Sequence, residues 1–172
     1  MLVGTGERHT RIITDYQPCR SRKDGYSTSY NQQCRFWRSK GTRSCPRKLF
    51  RDQLIASLRK WREGGDRLVL FMDANEDMRD GPLQRELSSS LDMYDVVSSF
   101  SDSAPVATYQ RGSRQIDGVW ATSDLWIIRA CFLPFRLGVG DHRGILLDIQ
   151  SASLFGRPSA LIQRPAMRRL QC

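Results

Sequence analysis

The sequence predicts an α/β protein, and three adjoining features carry that expectation. Phe50, Leu54, Leu58 and Trp61 recur on one face at helical spacing, and Gly64-Gly65 stops the pattern. A continuous apolar run, Leu68-Val69-Leu70-Phe71-Met72, follows almost at once and reads as a strand buried on both faces. An amphipathic helix, a tight link and a doubly buried strand belong together in sheets that helices cover.

The remaining elements follow in chain order. "RHTRIITDY", residues 8 to 16, places Ile12, Ile13 and Tyr16 at strand spacing. From 17 to 44 the chain is polar, basic and without period, which predicts a long insertion-like loop that is either functional or partly disordered. Ser44 then offers a cap and Pro46 a first helical position for the helix that ends at Gly64. Pro82 to Leu91 reads as a short helix. "TYQRGSRQIDGVWAT", residues 108 to 122, reads as a hairpin arm ending in a strand over 115 to 121. "WIIRACFLPF", residues 126 to 135, is a further apolar strand, and "GVGDHRGILLDIQ", residues 138 to 150, is a turn followed by a strand over 144 to 149. The expected organisation is one domain over 8 to 150 and a basic, flexible tail over 151 to 172, without internal repeats.

Composition narrows the functional class. The chain has 172 residues, enough for a sizeable core, and no apolar run long enough for a membrane span. The first residues lack the apolar centre of a secretion signal, so an intracellular protein, nuclear or cytoplasmic and not secreted, is expected. Five cysteines at irregular spacing, with only His9 and His142 as histidines, argue against structural zinc and for reduced thiols. Charge is unevenly distributed: residues 1 to 65 carry a net +10, residues 66 to 150 a net −5, and the tail adds four arginines. Of the 27 basic residues 23 are arginine, whose planar fork matches phosphate. A basic half beside an acidic half fits a polyanion held by one and processed at the other; a solvated basic surface accounts for the charge equally well.

Acidic residues gather at strand ends: Asp73 with Asn75, then Asp117, then Asp141 beside His142. Singly, each is an ordinary turn former. The "DANEDMRDGPLQ" stretch opens like a calcium-binding loop, but Met78 stands where the sharp turn needs glycine and Gln84 where a bidentate glutamate is needed. An EF-hand is excluded.

Taken in order, "IITDYQPC", "FMDANED", "TYQRGSRQIDGVWAT" and "GVGDHRGILLDI" resemble motifs of the endonuclease/exonuclease/phosphatase superfamily. That superfamily includes abasic-site endonucleases, deoxyribonuclease I and the endonuclease domains of non-LTR retrotransposons. The resemblance covers residues from about Ile12 to Gln150 and implies the carboxyl-terminal part of a two-sheet β-sandwich flanked by helices. It implies metal-dependent phosphodiester hydrolysis with Mg²⁺ or Mn²⁺. By resemblance Asp73 orients or deprotonates the attacking water, Asn75 fixes that geometry, and His142 binds the scissile phosphate. Asp117 would partner the histidine, Asp141 and Asp73 would bind the metal, and Tyr16 would contact the phosphate or leaving group. The chemistry is coherent, because an anionic phosphodiester needs charge neutralisation and a positioned water.

Two departures are visible. Gly140 replaces the serine that usually precedes Asp-His, and the superfamily's main metal-binding glutamate lies on an early strand that this sequence does not show; Glu7 does not match its position. The resemblance therefore implies that the amino-terminal half is missing, that activity is weak or absent, and that another protein or the missing half covers the sheet. The expected partner is nucleic acid, DNA above all, held by Arg35, Arg38, Arg43 and Arg114. Residues 17 to 48 would contribute Tyr26, Tyr30, Phe36 and Trp37 as stacking groups. Two alternatives stay open: a non-catalytic fragment of a decayed mobile element that at most binds nucleic acid, and a phosphatase of small phosphate esters.

Overall fold

The computed structural model describes residues 1–4, 9–20, 27–101, 106–138 and 140–156. Within them a five-stranded sheet has the order β1-β2-β3-β5-β4 and a separate two-stranded sheet pairs β6 with β7. The strands are β1 (Leu2–Val3), β2 (Thr10–Tyr16), β3 (Arg67–Asp73), β4 (Met93–Asp95), β5 (Asp117–Thr122), β6 (Ile127–Phe132) and β7 (Ile145–Ile149). Helices α1 (Ser29–Ser39), α2 (Pro46–Glu63), α3 (Pro82–Leu91), α4 (Val96–Ser99) and α5 (Ser151–Phe155), with a 3-10 turn over Phe135–Leu137, are the helical elements of the described residues. Only β2 and β3 run parallel, and α1 and α2 lie in the crossover between them.

β3 organises the molecule because its two faces feed two cores. Leu68, Leu70 and Met72 pack with Leu54, Ile55 and Leu58 of α2 and Leu83, Leu87 and Leu91 of α3. Val69 and Phe71 face the other way, onto a cluster with Val119, Ala121, Ile127 and Ala130 and the inward side chains of β7. Leu58, Leu68 and Leu70 have no exposed surface, so each contributes about 1.5–3 kcal/mol of burial. The layers are helices, the five-stranded sheet, then the two-stranded sheet. This is the α/β sandwich expected from the sequence. The small sheet covers only part of the large sheet's inner face, leaving a groove of ≈ 570 Å³ lined by Ile12, Val69, Phe71, Leu147, Ile149 and Leu154.

Several elements differ from the expectation. Residues 29 to 39 are helical where a loop is expected over 17 to 44. Thr28 caps that helix, its hydroxyl accepting from the Asn31 N–H at 3.3 Å, yet no residue of α1 is buried. Tyr30, Cys34 and Trp37 stand at helical spacing and are partly buried, but three residues in a polar, basic stretch make a period too short to read from the sequence. Cys45, not Ser44, takes the cap position of α2, with Pro46 following. β4 and α4 are too short for periodicity to reveal. The tail contributes the single-turn helix α5; the flexibility expected beyond it, and Tyr26 of the expected nucleic-acid-binding segment, concern residues outside those described. No helix among the described residues is long and apolar enough to cross a membrane.

Candidate active site

The alternation that sends Val69 and Phe71 between the sheets continues to Asp73, the last residue of β3. Asp73 is paired directly with Asp117, the first residue of β5, and on its other side with Tyr16, the last residue of β2. Three functional residue types thus stand in a row across adjacent strand ends. Asp73 and Asp117 line a cleft of ≈ 300 Å³ with Thr14, Phe71, Arg143 and Ile145. Tyr16 is half exposed beside it.

Asn75 adopts φ +47°, in the left-handed region that asparagine tolerates better than most residues. That bend lets its backbone N–H donate to Asp73 Oδ1 at 3.0 Å, while its side-chain amide donates to the Gln17 carbonyl at 2.9 Å. One Asp73 oxygen is therefore held by its own turn. Burial, seconded by the negative charge of Asp117, raises the Asp73 pKa above the usual carboxylate value, against the lowering effects of the Asn75 N–H, His142 and Arg47. The carboxylate is correspondingly more basic.

His142 reaches the same place from a turn. The Arg143 N–H donates to the Thr108 carbonyl and the Gln110 N–H to the Asp141 carbonyl, both at 2.8 Å, so residues 108–110 and 141–143 form a short ladder. The Thr108 hydroxyl in turn accepts from the Ile116 and Asp117 N–H groups at 2.9 and 3.0 Å. This fully buried threonine ties the His142 turn to the start of β5. The result is a 2.9 Å contact between His142 Nδ1 and Asp117 Oδ2, with the Tyr109 ring 5.1 Å from the imidazole. Partial burial would lower the histidine's pKa, but the hydrogen bond and charge of Asp117, with Asp73 and Asp141 beyond, raise it above the ordinary value. Nδ1 donating to the carboxylate leaves Nε2 for a ligand.

Asp73, Asp117 and His142 each present one ligand atom, all within 4.8 Å of one another. Two carboxylates at this separation suit a hard divalent cation that keeps several waters. Asp141 is not one of the three; its carboxylate meets Arg111 at 3.3 Å on the surface, and its charge helps to raise the His142 pKa. Arg35 and Arg38 lie on α1, Arg43 just beyond it, and Arg114 in the turn before β5, all exposed and none in the cleft. Two residues at the site escape the sequence reading. Gln17 supplies the carbonyl that holds Asn75. Arg143 donates to the Ala107 and Leu133 carbonyls at 2.9 and 3.3 Å and lies 4.2 Å from the Phe135 ring centroid. Nothing in their residue type or spacing marks them.

No family model and no curated protein matches the chain. Among solved structures it is similar to the human Nocturnin catalytic domain with bound sulfate anion, at 19% identity and a TM-score of 0.55. The fold is a deoxyribonuclease I-like α/β sandwich. The match covers 83% of this chain and 47% of that one, so the chain spans about half the length of the structure it resembles.

Proposed function

We propose that the chain carries a phosphodiester-hydrolysing site of nuclease type, acting on nucleic acid with Mg²⁺ or Mn²⁺ and only weakly as this chain alone. The observation that carries the reading is the Asp117–His142 contact facing Asp73. Asp73, with one oxygen held by Asn75 and its basicity raised by burial, is suited to orient a water and take its proton. His142, whose protonated form Asp117 favours, offers Nε2–H to a phosphate oxygen and offsets charge that develops there. Tyr16 extends the row towards the same phosphate. Asp73 and Asp117 would hold the cation, which when bound supplies charge neutralisation at the phosphate.

Weak turnover follows from the donors at hand. Asp141 meets Arg111 at the surface, and Asp73 and Asp117 would then serve both the cation and the proton transfers. The sulfate bound to the Nocturnin catalytic domain supports an anion-binding reading of the shared fold, and the arginine-rich surface favours a polyanion over a small phosphate ester.

The test is cleavage of single-stranded, nicked and abasic-site DNA in Mg²⁺ and in Mn²⁺, with Asp73→Asn and His142→Ala alongside. The expected result is slow, metal-dependent cleavage lost in both variants. Cleavage that survives both substitutions would place the activity elsewhere; none in either metal would leave the reading without support.

A further inference from the structure

The ends of β2 and β3 are tied together by side chains to which the proposed chemistry assigns no role. Glu76, one residue beyond Asn75, turns back into the fold. Its Oε2 accepts from Arg47 Nη2 at 2.8 Å and from Gln17 Nε2 at 3.0 Å, and its Oε1 accepts from the Leu83 N–H at 3.0 Å. Glu76 is therefore fully engaged and is not a spare carboxylate for a cation. Arg47, in the first turn of α2, gives the rest of its guanidinium to backbone: Nη1 donates to the Pro18 carbonyl at 3.1 Å and Nη2 also to the Ala74 carbonyl at 3.3 Å. The two charged side chains are only 15% and 14% exposed, and Gln17 is wholly buried.

One guanidinium thus grips the chain just past Tyr16 and again between Asp73 and Asn75. A buried ion pair is a poor way to add stability, since desolvation offsets most of the attraction and apolar residues of equal volume often do as well. What a planar fork with several fixed acceptors supplies is position. The segment positioned contains Asn75, whose left-handed backbone is a strained choice that its surroundings must maintain. From there the connections run to the site. The Asn75 N–H holds the Asp73 carboxylate, its amide holds the Gln17 carbonyl, and the Gln17 N–H donates to the Asp73 carbonyl at 2.9 Å.

We infer that Arg47 and Glu76 are positioning residues that lock Asn75, and through it the Asp73 carboxylate, in register with Tyr16. The inference rests on the hydrolytic reading for its purpose but not for its geometry, so the test uses two readouts on the whole chain. Arg47→Met, Glu76→Gln and Arg47→Lys are compared with the wild type by ¹⁵N–¹H NMR, following solvent exchange of the Asn75 side-chain amide. The Asp117 amide, bonded to Thr108, serves as reference. Hydrolysis is then measured as kcat and KM.

In folded Arg47→Met and Glu76→Gln, Asn75 should exchange about tenfold faster or more while Asp117 stays protected. Arg47→Lys, which cannot reach three acceptors at once, should fall between. kcat should drop roughly 10- to 100-fold with KM little changed, the signature of a misplaced catalytic group. Unchanged Asn75 exchange in the folded variants overturns the inference whatever the activity. Equal loss of protection at Asn75 and Asp117 also overturns it, because the pair then only stabilises the fold. Faster exchange at Asn75 alone, with no hydrolysis by any protein including the wild type, sustains the positioning role and counts against the hydrolytic reading instead.

Discussion

Replacing Asp117 by asparagine tests the centre of the site with almost no change in volume. In the native protein the carboxylate accepts from His142 Nδ1 at 2.9 Å and is itself mostly buried. A charge-assisted hydrogen bond of this kind contributes about 1.5–3 kcal/mol. His142 is roughly a third exposed, and water screens part of that, so about half is the reasonable expectation. Asp117→Asn should lower the His142 pKa, because it removes the hydrogen bond and the charge that raise it. The sign in stability follows. Because Asp117 raises the folded-state pKa of His142, its contribution is complete below the unfolded value near 6.5 and disappears as pH climbs through the raised folded value. Asp117→Asn should therefore cost about 1 kcal/mol at pH 5.5 and markedly less at pH 9. With only two histidines in the chain, proton NMR of the ring Cε1–H signals reads the titration directly once His142→Ala has assigned them. Urea unfolding at the two pH values reads the stability. An identical His142 titration curve in wild type and variant would refute the coupling and the tautomer assigned to the imidazole.

Three further outcomes are expected. Thr108→Val strips the acceptor from two backbone N–H groups, at Ile116 and Asp117, and should cost about 2–4 kcal/mol in urea unfolding. Gly118→Ala would place a Cβ 2.5 Å from Cη2 of the buried Trp120 ring; the indole must move, and a loss of about 1–3 kcal/mol with altered near-ultraviolet circular dichroism is expected. Single-stranded DNA binding should weaken linearly in log–log plots against salt, and replacing Arg35, Arg38 and Arg43 together by alanine should reduce the slope by about two to three; a slope that does not change would place the contacts elsewhere.

What could be read from the sequence depended on how far each residue's partners lie along the chain. α2 and β3 show themselves because an apolar stripe and an apolar run are local patterns with a tertiary cause, here the core on either side of β3. α1 shows less because its stripe is short, Tyr30, Cys34 and Trp37, and none of its residues is fully buried. Asp73, Asn75, Asp117 and His142 could be listed from motif order, but the contact between Asp117 and His142 joins residues 25 apart, through a ladder whose key member, Thr108, looks like any threonine. The contact of Asp141 with Arg111 likewise depends on a partner 30 residues away. Arg47 and Gln17 reach Glu76 across 29 and 59 residues, with nothing in their surroundings to single them out among many arginines and glutamines.

The two-faced character of β3 has an implication for how this protein can vary. Its even-numbered residues answer to the helices and its odd-numbered ones to the layer that ends in Asp73. A saturation scan of this strand should accordingly alternate along its length. Substitutions at Leu68 and Leu70 should lower abundance in the cell while molecules that do fold keep an intact cleft. Substitutions at Phe71, which lines the cleft and is only partly buried, should alter the cleft in molecules that still accumulate. The strand works as a partition, and lineages could exchange the helical side residue by residue without disturbing the arrangement of carboxylates and imidazole on the other.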